Sequence, residues 1–176
     1  VPPSMLNSKY WYSSNPFYQS GYGLPNCTAY AWGRFWEITE QAGVTGVTPT
    51  LSTGNGGEWY SYRADGYPRS SEPSLGAVIC FSQPGEAGHV AIVEQILDNG
   101  DIITSNSGYS RSPGGWNDSK YFWTETNPKD TGYRSSWEVS GGYEFQGFII
   151  NPDACSGQYQ PGARKRKLPL YFYLFP

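Results

Sequence analysis

Asn26-Cys27-Thr28-Ala29-Tyr30-Ala31-Trp32-Gly33-Arg34 marks the point where a Gly/Pro-rich loop becomes a helix. Asn26 is a good N-cap, the pattern predicts helix from Cys27 to about Ala42, and Gly43 is the stop. Cys27, Ala31, Phe35 and Ile38 recur at helical spacing and form the core-facing stripe, with Thr28, Trp32 and Trp36 beside it. Gly33 inside the helix costs about 1 kcal/mol relative to alanine and is expected to mark a close approach by another group. The cysteine therefore opens the helix, where the positive end of the macrodipole favours a thiolate.

Beyond the helix the pattern changes. Val44 to Gly57 reads as a Thr/Gly/Pro loop, and Glu58 to Ala64 as a short helix presenting Trp59 and Tyr60. Gly76 to Phe81 and His89 to Leu97 read as strands, and Asp98-Asn99-Gly100-Asp101 as a hairpin turn. Ile102 to Asn106, Lys120 to Thr124 and Tyr143 to Ile150 follow as further strands. Strands joined by turns imply an antiparallel sheet, so the expected class is α+β, with N-terminal helices packed on about five or six strands. Residues 1–25, rich in Tyr, Ser, Pro and Gly, read as an irregular lead-in.

Composition narrows the possibilities. Aromatic residues at 17% exclude a disordered chain, and 22 Gly with 14 Pro favour a turn-rich fold over a helical bundle. The four charges beyond position 163 are all basic (Arg164 to Lys167), leaving eight basic against 15 acidic residues and a net −7 over residues 1–163. An acidic body lacks the clustered Lys and Arg that phosphate contacts require, so nucleic acid is not an expected partner. Cysteines at 27, 80 and 155, without a CxxC pair, indicate neither a zinc site nor a disulfide framework. No run is long and apolar enough for a membrane span. The sequence opens at Val1 and is expected to come from a longer protein whose other segments supply targeting.

Cysteine nucleophiles need a lowered pKa, a nearby base and donors for an oxyanion. Cys27 meets the first at its helix N-terminus, and its own N–H is a candidate oxyanion donor. His89, the sole histidine, is the one possible base of a Cys/His mechanism. A helix-borne cysteine followed by a strand-borne histidine in an antiparallel sheet is the papain-type order. The orienting third group is expected to be Asn106, which shares a strand face with His89, Ala91 and Val93. Centring the turn on Asn99-Gly100 places Asn106 opposite Val93, four residues or about 13 Å from His89, so a bulge or a wider turn is required. Glu94 has the opposite parity and reads as a solvated strand residue, with Asp98 and Asp101 as turn residues. Cys80 reads as core, and Cys155 as free or partnered elsewhere. Trp59, Tyr109, Trp116 and Trp123 are candidates to line a groove for sugar or peptide.

Four segments together resemble one family. Cys27-Thr28-Ala29-Tyr30-Ala31-Trp32-Gly33-Arg34, Leu75-Gly76-Ala77-Val78-Ile79, Gly88-His89-Val90-Ala91-Ile92-Val93-Glu94 and Phe145-Gln146-Gly147-Phe148-Ile149-Ile150-Asn151-Pro152 are similar to the CHAP domain. That family comprises cysteine, histidine-dependent amidohydrolases/peptidases related to the NlpC/P60 group. The resemblance covers about residues 10–152, leaving 1–9 as lead-in and 153–176 as a linker or tail. It implies a papain-like fold and cleavage of peptidoglycan amide bonds, as an N-acetylmuramoyl-L-alanine amidase or an endopeptidase. The implied setting is the wall of Gram-positive bacteria, reached by a phage endolysin, a virion-associated lysin or a bacterial wall hydrolase, fused to or assembled with a targeting or phage tail component. Cys27 is then the nucleophile and His89 the base. Many members carry Glu-x-Asn on the next strand; here Asn106 stands at the Glu position and Gly108 at the Asn position, making Asn106 the third catalytic residue. Some members bind calcium through aspartates flanking the cysteine. Ser13 to Asn26 contains no acid and Ala29 stands two after Cys27, so no metal and no cofactor are expected. Two other readings use the same residues: a non-catalytic wall-binding or tail module with a degenerate hydrolase fold, and a cysteine protease or transamidase acting on protein.

Overall fold

Asn26 does cap a helix: in a computed structural model describing residues 8–111, 118–130 and 137–154, its side chain accepts a hydrogen bond from the Thr28 N–H at 3.2 Å. The helix it starts, α3 (Cys27–Gln41), follows two single-turn helices, α1 (Ser8–Trp11) and α2 (Pro16–Gln19), in the region expected to be irregular. Among the described residues six strands follow: β1 (Arg69–Ser70), β2 (Val78–Ser82), β3 (His89–Ile96), β4 (Ile102–Ser107), β5 (Phe122–Asn127) and β6 (Glu144–Ile149). They form one sheet in the order β1-β6-β2-β3-β4-β5, with every pairing antiparallel. The class is α+β, a papain-like arrangement of helices on an antiparallel sheet. β1 carries no pattern longer than two residues and was not expected. Among the described residues, no helix is long and apolar enough to cross a membrane.

The sheet is buried on both faces, which explains the unbroken apolar run of β2. Val78, Cys80, Val90, Ile92 and Ile149 join the core that contains α3. Ala77, Ile79, Phe81, Ala91, Val93 and Phe148 face the other way, under Trp137 and partly buried Val139, Tyr143 and Phe145.

Helix α3 departs from the one-stripe expectation because it is buried continuously from Thr28 to Thr39. The chain before it closes over its outer side. Trp11 stacks on Tyr30 at 5.5 Å, Tyr10 meets Trp36 edge-on at 5.1 Å, and a Cβ at Gly33 would lie 2.4 Å from the Trp11 ring. The close approach expected at Gly33 is therefore Trp11. Further along α3, buried Asn151 donates to the Phe35 carbonyl at 3.2 Å and to Thr39 Oγ1 at 3.1 Å, tying the end of β6 to the helix.

Glu94 overturns its expectation. It is fully buried, and both its carboxylate oxygens meet the Arg34 guanidinium, Nε–Oε1 at 2.8 Å and Nη2–Oε2 at 2.9 Å. Arg34 also binds Glu37 at 2.7 Å, and Ser105 Oγ donates to Glu94 at 2.7 Å. The reason is a register shift between Val93 and Gln95, which leaves Glu94 as an extra residue in β3. Strict alternation fails there, and a charge assigned to solvent joins the helix–sheet interface.

Candidate active site

Two one-residue displacements carry Asn106 to His89. The hairpin closes with the Leu97 N–H donating to the Asp101 carbonyl at 2.8 Å, so its loop is Asp98-Asn99-Gly100 rather than Asn99-Gly100 alone. Gly100 at φ 90° supplies the left-handed residue such a three-residue loop needs. The bulge at Glu94 adds the second displacement, giving Ile92 opposite Ser105. Asn106 then lies one step beyond Ser105, opposite Ala91 and on the expected face, because two shifts of one residue restore parity. At this diagonal separation side chains can meet. Asn106 Oδ1 lies 2.9 Å from His89 Nε2.

With Nε2 engaged by Asn106, Nδ1 is the ring nitrogen left to exchange a proton with Cys27. The thiol opening α3 is electrostatically coupled to the imidazole and lies in the field of the backbone N–H groups of Val90 and Thr28. Burial pushes the Cys27 thiol up, but the His89 ring and those two N–H groups outweigh it, so the thiol lies below its ordinary value. Burial likewise pushes His89 down, while Cys27, Asn106 and the Glu125 carboxylate hold it above its ordinary value. Both directions favour a thiolate–imidazolium pair. Cys80 supplies the contrast: fully buried in β2, its thiol is pushed up by burial.

Aromatic rings hold the imidazole. Trp123 stacks on it at 6.2 Å with the planes 8° apart, and Phe81 stacks at 6.3 Å. Gly88, just before His89, has φ 71°, and a Cβ there would lie 2.5 Å from both Gly57 N and Phe81 O. The loop through Gly56 and Gly57 lies directly on this strand start, with Gly57 N–H donating to the Ala87 carbonyl at 2.8 Å. Only glycine lets the backbone present the histidine here.

A cleft of about 780 Å³ opens over the pair. Exposed Tyr109 and partly buried Trp123 line it, as do Glu58, Arg111 and Glu125. Trp59 does not: it is wholly buried, stacked near Phe17 at 6.2 Å, with its Nε1 donating to the Gly54 carbonyl at 3.1 Å. A three-residue 3₁₀ turn (Gly56–Glu58) replaces the helix expected to present it, and the indole props the loop from behind. Trp116 and Cys155 lie outside the described residues. Residues around Cys27 do not fit a calcium site. Ala29 offers a buried methyl group, and the nearest buried amide upstream, Asn15, already accepts from the Phe17 N–H and donates to the Tyr10 and Ala29 carbonyls.

The cysteine–histidine pair and its asparagine coincide with a family match. The CHAP domain model matches residues 17–108, which include Cys27, His89 and Asn106. The chain is 34% identical over 87 residues to N-acetylmuramoyl-L-alanine amidase sle1 of Staphylococcus haemolyticus, covering 48% of this chain and 26% of that one. It is 32% identical over 100 residues to the protein of the same name from Staphylococcus saprophyticus, covering 54% and 30%. A crystal structure of N-acetylmuramoyl-L-alanine amidase from Staphylococcus aureus aligns with a TM-score of 0.40 at 24% identity, over 58% of this chain and 26% of that one. The match thus spans under a third of the length of these two curated relatives. With the family model covering more than half of the sequence and both site motifs, the chain belongs to the CHAP domain family.

Proposed function

We propose that this domain is a cysteine-dependent peptidoglycan hydrolase that cleaves amide bonds of the bacterial wall. The observation that carries the reading is the pairing of Cys27 with His89, both lining the cleft, with buried Asn106 2.9 Å behind the imidazole. The Cys27 thiolate attacks the amide carbonyl carbon, and the carbonyl π electrons move onto oxygen. The Cys27 N–H, in the first turn of α3 with no partner inside the helix, faces the developing oxyanion. His89, protonated at Nδ1, passes that proton to the leaving nitrogen as the C–N bond breaks, leaving a thioester. Water then attacks the thioester while His89 takes its proton, and the thiolate departs. Asn106 accepts from Nε2–H and keeps Nδ1 aimed at sulfur.

The bond between N-acetylmuramic acid and L-alanine is the favoured target, because both relatives are named for it. Tyr109 and Trp123 form the apolar part of the substrate's bed. The site of action is the wall, and Gram-positive peptidoglycan is the substrate proposed. Delivery by a phage lysin is the narrower form of the proposal; the relatives named above are staphylococcal and support the wall amidase itself. Purified protein should lower the turbidity of a Gram-positive wall suspension, and Cys27→Ala should not. Mass spectrometry of the fragments should show free lactyl carboxyls and new L-alanine amino ends. Equal clearing by the Cys27 variant would refute the mechanism, and cuts elsewhere in the peptide would refute the bond.

A further inference from the structure

Behind Asn106 the hydrogen bonds run in one direction to a backbone carbonyl. Asn106 Nδ2 donates to Thr104 Oγ1 at 3.0 Å, Thr104 Oγ1 donates to Asn127 Oδ1 at 2.7 Å, and Asn127 Nδ2 donates to the Trp137 carbonyl at 3.4 Å. Thr104, Asn106 and Asn127 are all buried, at most 1% exposed. Trp137 ends the series as a fixed point. It holds a left-handed φ of 63°, its N–H donates to the Pro128 carbonyl at 2.9 Å, and its indole donates to the Gly100 carbonyl at 3.0 Å.

We propose that Thr104 and Asn127 are positioning residues that set the tautomer of His89. A main-chain carbonyl only accepts, so Asn127 must turn its NH₂ to Trp137 and its oxygen to Thr104. The single Thr104 hydrogen is thereby committed to Asn127, and its oxygen can only accept from Asn106. The Asn106 carboxamide must then present oxygen to His89, which places the ring proton on Nε2 and leaves Nδ1 free to exchange a proton with Cys27. Reversing any member sets donor against donor or acceptor against acceptor in a buried site. Thr104 sits two residues before Asn106 on the same face of β4, and Asn127 lies diagonally across on β5, where Ile102 is its direct partner. The inference rests on reading Cys27 and His89 as the reacting pair, but not on the identity of the substrate.

The sole histidine makes the test direct. In ¹⁵N-histidine-labelled Cys27→Ala protein, above the pKa of His89, the ring should carry its proton on Nε2 with Nδ1 unprotonated. Adding Thr104→Val, which keeps the shape and removes the hydroxyl, should yield the other tautomer or a mixture, and Thr104→Ser should restore the Nε2–H form. In protein retaining Cys27, iodoacetamide alkylation of that residue should slow about tenfold or more in Thr104→Val and stay within about twofold of the parent in Thr104→Ser. A proton on Nδ1 in the Cys27→Ala protein would overturn the proposal, whether or not Thr104→Val folds. So would an unchanged tautomer and alkylation rate in a folded Thr104→Val protein. Failure to clear walls with both readouts as expected would remove the substrate assignment and leave the relay standing.

Discussion

Arg34 on α3 and Glu94 on β3 are joined by two parallel hydrogen bonds inside the protein, and this fork fixes the helix bearing Cys27 to the strand bearing His89. Glu94 is also the bulged residue that lets Asn106 reach the histidine, so one ion pair holds both the helix and the strand register. Buried pairs of this kind add little over an apolar replacement of both partners. Removing one partner strands a charge, at about 3–5 kcal/mol. Arg34→Met should therefore lower the unfolding free energy in urea by roughly that amount. Arg34→Met combined with Glu94→Leu should be less destabilised than Arg34→Met alone. A single variant within experimental error of the parent would show that the fork holds nothing.

Gly88 gives a second, backbone-level prediction. Alanine there must adopt φ 71° and place a methyl group 2.5 Å from main-chain atoms of both Gly57 and Phe81. Main-chain neighbours cannot swing aside as a flexible side chain does. Gly88→Ala should cost on the order of 3 kcal/mol. It should also displace His89 enough to slow Cys27 alkylation in whatever fraction remains folded. Chemical denaturation and alkylation kinetics measure the two effects separately.

Much of this was legible beforehand because several residues act locally. Asn26 caps its own helix, Gly33 announces a close neighbour, and alternation from a turn at Asn99-Gly100 places Asn106 on the face of His89, since the two later shifts cancel in parity. Misreadings arose where tertiary partners decide. Glu94 reads as solvated until the bulge and Arg34 are known. Trp59 reads as a groove residue until the loop through Gly56 folds over it. The register departs from the expected one by two residues, one because Asp98 joins the loop where an Asn-Gly pair suggests a two-residue turn, the other because of the bulge at Glu94. Thr104 carried a signal, its place two residues before Asn106. Asn127 carried none, since nothing local distinguishes an asparagine at a strand end that satisfies a buried hydroxyl.

Exposed Tyr109 stands at the cleft with its ring against Arg111, which donates to its hydroxyl. Its contribution should be to binding rather than chemistry. Tyr109→Ala is expected to raise KM for wall fragments about fivefold, the equivalent of about 1 kcal/mol of ring contact, with kcat close to the parent value. Equal loss in kcat would place the ring in the transition state instead.

Chelation should leave the activity intact. The residues preceding Cys27, from Ser13, include no carboxylate, and Ala29 two residues after it is a buried methyl. Hard cations require several oxygen ligands, which this loop and first helical turn do not assemble. Wall clearing after EDTA treatment should match the untreated rate. Loss that calcium restores would locate a metal role that these residues cannot supply.

The pH dependence expected of the proposed mechanism follows from the opposed directions of Cys27 and His89. Cys27 lies below the ordinary thiol value, so its alkylation should persist at pH values where a free cysteine, near 8.5, is almost wholly protonated. Hydrolysis needs the thiolate and the imidazolium together. As pH falls the rate should drop when the thiolate takes a proton. As pH rises it should drop when His89 loses the proton destined for the leaving amine, and because His89 lies above its ordinary value that limb should come later than near 6.5. The two limbs belong to the coupled pair rather than to either residue. Asn106 is one of the groups holding His89 up, so Asn106→Ala should move the alkaline limb to lower pH as well as reduce the plateau. A plateau that falls without movement of that limb would mean that Asn106 orients the ring but does not stabilise its charged form.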